Sequence, residues 1–288
     1  MLGCRCGAKW SAAEFVDDAV AGGAALHTRT MVDRILISGG HAEGVEVRER
    51  GKRRRILANT VIVAAGGIGT PALLRASGLA DAGRSITMDA TIMVYGAGES
   101  KGIGGDPPMT WSAADDQLGV LYSTLIDPWL MYPIIMTMKG PAYPFTWHRW
   151  KRTYGVMIKL KDDISGGVDE HGTVSKGLTA TDRERLGRAE ETARAILLRA
   201  GCKADTIFST PLRGTHPSGS VRIGEQLDNN LQTSVRGLYV CDASVFPEAL
   251  ARPTVLTIIA FARRLAERLL ANDSSVALAA PKLSTLEH

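Results

Sequence analysis

The stretch THPSGSVRIG (Thr215–Gly224), followed by GLYVCDASVFPEALARPTVLTIIAFARRLAERL (Gly237–Leu269), decides how this chain folds. It sets a histidine in a loop of Gly, Ser and Pro, then a short apolar strand ending in an aspartate, a turn, and a long helix opening at a proline. Leu238–Cys241 is the kind of apolar run that a buried parallel strand carries. It ends at Asp242, with the small residues Ala243 and Ser244 behind it. Open α/β sheets bind their ligands at the carboxyl ends of such strands. Pro253 suits the first turn of a helix. Leu256, Ile259, Ala260, Leu265 and Leu269 are spaced as its apolar face, with Arg263, Arg264 and Arg268 turned elsewhere. The N-terminus of that helix offers unpaired N–H groups and a partial positive charge to an anionic neighbour. The spacing therefore predicts a ligand cradle.

Upstream, Ser11–Ala21 reads as a helix with Ser11 as N-cap and Phe15, Val16, Ala19 and Val20 as its buried face, stopped by Gly22-Gly23. Leu26–Ser38 and Ala42–Glu49 read as two strands turning at Gly39-Gly40. The basic run Lys52–Arg55 reads as a solvated hairpin turn. Val61–Ala65 is an apolar strand broken at Gly66-Gly67, and Thr70-Pro71 starts the next helix. From Thr87 to Lys203 large apolar residues alternate with prolines, which predicts strands and loops in a sheet. Thr179–Ala200 reads as a structural helix capped by Thr181 and Glu184.

Totals narrow the function classes. The 288 residues, 45% apolar and 22% charged, describe a soluble globular protein of one or two domains. A net charge of +4 gives no reason to invoke nucleic acid. No apolar run is long enough to span a bilayer, no secretory leader is visible, and the four scattered cysteines suit a reducing compartment, so the expectation is a cytoplasmic protein without a transmembrane segment. Cys4-x-Cys6 lacks the second ligand pair of a zinc site, and no metal is expected. Gly96–Gly102 mimics a phosphate or dinucleotide turn but lacks Gly-Lys-Ser/Thr and precedes Pro107-Pro108 instead of a helix, so it reads as a loop. His148, between two tryptophans, reads as packed or exposed without chemistry. Leu286–His288 has the look of an expression-tag remnant and is set aside.

The order H-x-x-G-S-x-R-I-G, strand, D-A-S-V-F-P and x-P-T with a helix resembles the C-terminal signature of the glucose-methanol-choline (GMC) flavin oxidoreductases. GAKW, the VDRI strand and VIVAAGGIGTPALLRASGL resemble the middle of that family's FAD-binding domain, and CRCGAKW resembles its cysteine-and-glycine cluster. The likeness covers about residues 1–80 and 210–270. It implies an α/β chain (α+β overall): a partial FAD-binding Rossmann-like domain with an inserted antiparallel-sheet substrate domain. Residues 1–86 would be the middle of the FAD-binding domain and 87–205 the substrate domain. Residues 206–272 would return to the FAD site, with 273–288 as a tail. It further implies FAD as cofactor, His216 as catalytic base, and Val32, Ala65, Gly66, Asp242, Ala243, Pro253 and Thr254 as cofactor neighbours. Arg252 stands where the family has Asn or His. Arginine only donates hydrogen bonds. It could stabilise a developing alkoxide, the reduced flavin or a substrate carboxylate, or pair with a structural carboxylate.

The family's opening strand, G-x-G-x-x-G and helix have no counterpart in this sequence. A separate polypeptide, a truncation or the loss of flavin would each account for that, and a split enzyme is the expectation. A second polypeptide would then supply the G-x-G-x-x-G half. The expected activity is FAD-dependent oxidation of a small-molecule alcohol at a CH–OH group. The alternative is a non-catalytic remnant or scaffold subunit that keeps the fold and assembles with another chain.

Overall fold

Two glycine-assisted turns shape the first sheet. In a computed structural model that describes residues 10–104 and 109–272, the side chain of Asn272 excepted, helix α1 (Ala13–Ala21) precedes an antiparallel meander of β1 (Thr30–Ser38), β2 (His41–Glu49) and β3 (Lys52–Leu57). The Cys4–Cys6 cluster, Pro107-Pro108 and the 273–288 tail lie outside the described residues. Ser38 pairs with His41 across Gly39-Gly40, and Glu49 with Lys52 across Arg50-Gly51. All four turn residues have positive φ, as two-residue hairpin loops of the primed type require. The basic run is therefore strand β3, not the turn, although Lys52–Arg55 are exposed as expected. Helix α1 departs from its reading in two ways. Its N-cap position is Ala12 without a side-chain bond, and no residue of its apolar face is buried.

The parallel-sheet half is built around β4 (Val61–Val63), helix α2 (Gly66–Ala76), and the distant strand that pairs with β4. Helix α2 begins four residues before the expected start, so Pro71 lies inside it. Proline has no N–H to give the Gly67 carbonyl four residues back. The Ser220 hydroxyl donates to that oxygen instead, at 2.7 Å. A sequence rule that places proline at the first turn cannot foresee this rescue from 153 residues away.

The next sheet has six strands: β5 (Ala90–Ala97), β6 (Ser112–Asp115), β7 (Val120–Thr124), β8 (Thr153–Leu160), β11 (Phe208–Ser209) and β12 (Arg213–Gly214). The path runs β11-β5-β8-β7-β6, with β12 also on β5, and every pairing is antiparallel. Helix α3 (Tyr132–Met136) and a 3₁₀ stretch (Tyr143–Arg152) fall between β7 and β8, and the small hairpin of β9 (Gly167–Val168) and β10 (Val174–Ser175) follows β8. Side chains alternate across the sheet. Ile92, Val94, Val156, Ile158 and Leu160 pack under helix α4 (Ala180–Arg199), which presents Ala189, Ala193 and Leu197. The four-residue spacing of that stripe keeps it on one face. Met93, Tyr95 and Met157 face the other way, against Ile135 of α3. The cap of α4 is Thr179 with Asp182, two residues before the expected pair, in a complete capping box. Gly96 lies within β5 rather than in a loop.

The chain returns through β13 (Leu238–Val240), which pairs in parallel with β4: Leu238 with Val61, Tyr239 with Ile62 and Val240 with Val63. Helix α5 (Val255–Asn272) then lies against the same core through Ile258, Phe261, Leu265 and Leu269. Its expected face was rotated: Leu256 is 79% exposed and Ala260 is exposed too. Among the described residues no helix is long and apolar enough to cross a membrane.

Candidate active site

Parallel pairing brings the carboxyl ends of β4 and β13 side by side, which is the position where open α/β sheets take ligands. Asp242, just beyond β13, ties them together. Its Oδ2 accepts the Gly66 N–H at 2.9 Å and the Thr70 hydroxyl at 2.5 Å, while Oδ1 accepts the Ser244 N–H at 2.7 Å. Thr70 in turn accepts the Ala65 N–H at 3.0 Å. Three donors occupy the Asp242 carboxylate, so its side chain is a clasp between α2 and the Asp242–Ser244 turn. That leaves the backbone of Ala65, Gly66 and Ala243 to line the crevice.

The donor set suits an anionic dinucleotide. Gly66 has φ of 79° and no atom within 4 Å of the place a Cβ would take, so open space adjoins the N-terminus of α2. Backbone amides in the first turn of a helix have no intrahelical acceptors. Thr254, buried, accepts the Ile258 N–H at 3.0 Å and so opens α5, with Pro253 exposed before it. These are features that a cradle for FAD needs.

His216 is held by a zipper of backbone bonds. Met88 O accepts both the Thr215 and the His216 N–H at 2.9 Å, and Thr87 exchanges N–H···O bonds of 2.9 Å with Ser218. The rest of the motif is scaffolding. Gly219 sits at φ 65°, a left-handed geometry that glycine adopts freely. Arg222 reaches back to Gly219 O at 2.9 Å and to the Ser85 hydroxyl. Gly67 lies so close to this loop that a Cβ there would be 2.0 Å from Pro217 O.

The His216 ring is partly exposed, and its Nδ1 lies 2.7 Å from Oδ2 of Asp89, whose side chain is 1% exposed. A carboxylate only accepts, so the ring donates there and presents Nε2 outward as an acceptor. Around this pair stand Thr91, Thr215 and Lys159. Lys159 Nζ donates to Thr215 Oγ1 at 2.7 Å, and Thr215 Oγ1 is 3.2 Å from Thr91 Oγ1. Burial pushes the Lys159 ammonium pKa down, and the Asp89 charge partly restores it. Such a constellation can orient an imidazole and let it take a proton.

The other expected residues divide. Ala65, Gly66, Asp242 and Ala243 meet at the ends of β4 and β13, and Ala251 ties Pro253 and Thr254 to His216 through Asp89, whose Oδ1 accepts the Ala251 N–H at 2.8 Å. Val32 lies apart on β1, paired with Val47 at a bulge. Arg252 points to Asp116 in an exposed pair of 3.3 Å, its side chain 55% exposed, with no bond to His216 among the described residues. Sequence reasoning missed Asp89 and Lys159, whose partners lie 56 to 162 residues away and whose flanking residues form no motif, and it read Thr70 only as a helix start, not as a donor to Asp242, 172 residues away. A roomy cleft of about 660 Å³ between the C-terminal end of α2 and residues 221–235 includes neither His216 nor Asp242. Converging polar groups, not volume, mark the site.

Comparison with known proteins agrees with this geometry. Family models for GMC oxidoreductases match residues 1–104 and 177–262. The chain is 27% identical to an uncharacterized GMC-type oxidoreductase of Mycobacterium tuberculosis, over 94% of this chain and 49% of the relative. It is 24% identical to a long-chain-alcohol oxidase of Arabidopsis thaliana, over 89% of this chain and 43% of the relative. Among solved structures, pyridoxine 4-oxidase from Mesorbium loti superposes with a TM-score of 0.57 and 19% identity, covering 83% of this chain and 57% of that one. The chain thus spans about half the length of the curated relatives it matches. Because the two matched segments carry the β4–α2 crevice and the His216–α5 return that close on one another, the chain belongs to the GMC oxidoreductase family.

Proposed function

We propose that this chain carries the proton-accepting site of an FAD-dependent oxidoreductase that oxidises a CH–OH group, with His216 as the base. FAD is the cofactor of the family and, when bound, supplies the hydride acceptor at its N5. The observation that carries the reading is the His216–Asp89 pair: with Nδ1–H given to the carboxylate, the neutral ring has Nε2 free to accept. His216 would take the hydroxyl proton there. The open N-terminus of α2 beyond Gly66, the backbone of Ala243, and Pro253 and Thr254 at the start of α5 would hold the cofactor, while the Ala65 and Gly66 N–H groups, already given to Thr70 and Asp242, shape the turn beside it. Arg252 is assigned no step here: its guanidinium meets Asp116 in a solvent-exposed pair and has no bond to His216 among the described residues. The name of one matched relative, a long-chain-alcohol oxidase, supports a hydroxyl-bearing substrate.

The same reading includes a second polypeptide supplying the G-x-G-x-x-G segment. Its support is the exposed apolar face of α1 and the two-stranded β4–β13 sheet, which has no strand beyond β4 among the described residues.

His216→Ala tests the chemistry. Turnover of a primary or secondary alcohol by the flavin-loaded protein should fall about 100-fold or more, with the flavin absorption retained. Near-normal turnover would remove His216 from the role.

A further inference from the structure

Asp89 belongs to neither sequence motif, yet its two carboxylate oxygens serve two different loops. Oδ2 faces His216 Nδ1 at 2.7 Å, and Oδ1 accepts the Ala251 N–H at 2.8 Å. Its carbonyl accepts the Thr91 and Thr215 hydroxyls at 2.8 and 3.1 Å. Both ends of the Asp89–Ala251 bond have left-handed backbone. Asp89 has φ of 47°, which aspartate adopts more readily than most residues, and Ala251 has φ of 51°, which costs an alanine about 1–2 kcal/mol. Strain of this kind persists only where surrounding bonds over-determine it, and it gathers at functional sites. Here the bonds are those to the carboxylate, and one of them ends on the proposed base.

We propose that Asp89 is the positioning residue of this site. It fixes His216 as the Nδ1–H tautomer, so that the Nε2 lone pair faces the substrate. It also locks the base to the Ala251 turn that leads into Pro253, Thr254 and α5. The inference rests on the reading of His216 as base.

The chemistry of the two bonds makes the assignment sharp. A carboxylate accepts with both oxygens, which suits two N–H donors. Asparagine at position 89 has the same shape and tolerates positive φ, but it has only one oxygen. The Ala251 backbone cannot give up its proton, so the asparagine oxygen must face Ala251 and its NH₂ must face His216. Nδ1 then becomes an acceptor, the ring proton moves to Nε2, and Nε2 no longer takes a proton. A purely structural role for Asp89 predicts no such exchange of ring positions.

The test is ¹⁵N NMR of the histidine-labelled chain above the ordinary histidine titration range. His216 is identified among the six histidines by the signal lost in His216→Ala. In the wild type the protonated ring nitrogen should be Nδ1; in Asp89→Asn it should be Nε2. With flavin bound, Asp89→Asn should lower kcat by about 10²–10⁴ while KM changes little. A wild-type ring protonated at Nε2 overturns the proposal without need of any variant, and so does an Asp89→Asn ring that keeps its proton at Nδ1. If the tautomer switches but His216→Ala retains turnover, Asp89 positions the ring as proposed and the assignment of His216 as base is what fails.

Discussion

Lys159 shows how much of the site depends on a residue that no motif contains. It lies on β8 opposite Thr91 of β5, is 3% exposed, and spends its ammonium on the neutral hydroxyl of Thr215. Removing a cation from water without a carboxylate partner in contact disfavours the charged form. The lysine pKa in the folded state is accordingly lowered from the ordinary 10.5. A lowered folded pKa means that the penalty is absent above the unfolded value. It grows as the pH falls toward the folded value and is full below that. Lys159→Met, which keeps the length and drops the charge, should therefore raise the denaturant midpoint at pH 7, and the gain should vanish as the pH rises past 10.5. Equal midpoints at both pH values would mean that the ammonium is well solvated in the folded protein. The residues of the site differ in legibility for the same physical reason. His216 and Asp242 stand in a dense run of Gly, Ser and Pro whose special backbone demands leave a trace in the sequence. Asp89 and Lys159 act across sheet and loop contacts that only the folded chain creates, so composition around them carries no signal.

Among the elements, α2 and the His216 loop behave as one unit. Pro71 leaves the Gly67 carbonyl without its helical donor, Ser220 supplies one, and Gly67 itself has no room for a side chain. An added Cβ would meet Pro217 O at 2.0 Å, Pro217 C at 2.4 Å and Ser218 N at 2.9 Å, all backbone atoms that cannot rotate away. Gly67→Ala should therefore push the loop off the helix. We expect a loss of about 1–3 kcal/mol of stability in chemical denaturation, together with lower turnover because His216 moves with its loop. Gly187→Ala on α4 is the contrast. Nothing lies within 4 Å of that Cβ, and alanine is the better helix former by about 0.8–1 kcal/mol. If Gly67→Ala were as stable as Gly187→Ala, the close approach of helix and loop would be wrong. Element boundaries were read less well than element types because long-range partners shift them. Ser220 lets α2 run through a proline. The Thr179–Asp182 box starts α4 early because Thr179 also donates to Asp163 at 2.6 Å. Helix α5 is rolled onto Ile258 and Phe261 by the core it meets.

At the scale of the whole molecule, two of the three cores frame the site. One unites β1, β2, β4, α2, β13 and α5 through Ile35, Val63, Leu74, Leu238, Val240 and Leu265, and so fixes the crevice. The other joins the antiparallel sheet to α4, and the opposite face of that sheet carries Thr91 and Lys159, which meet the Thr215 hydroxyl next to His216. Outside both cores, apolar surface remains uncovered on the crevice-bearing half. Phe15 is 51% exposed with Val16 and Val20 on the same helix, Ile62 is exposed on β4, and Val255 and Leu256 are exposed at the start of α5. Scattered exposed apolar residues are ordinary, but faces of this kind beside a strand edge with no partner among the described residues are what the proposed second polypeptide would cover. Hydrogen–deuterium exchange offers the test, with the chain alone compared with the chain after addition of a polypeptide carrying a strand, G-x-G-x-x-G and helix. The amides of 13–21, 61–63 and 255–261 should slow together, and flavin absorption should appear in the same complex on size exclusion. Because binding to the folded state adds its free energy to stability, the melting temperature should also rise with partner concentration. A chain that holds FAD as a monomer while those segments exchange unchanged would eliminate the second polypeptide. His216 and Asp89 would remain to be judged on their own measurements, since neither the tautomer nor the effect of His216→Ala depends on what covers α1.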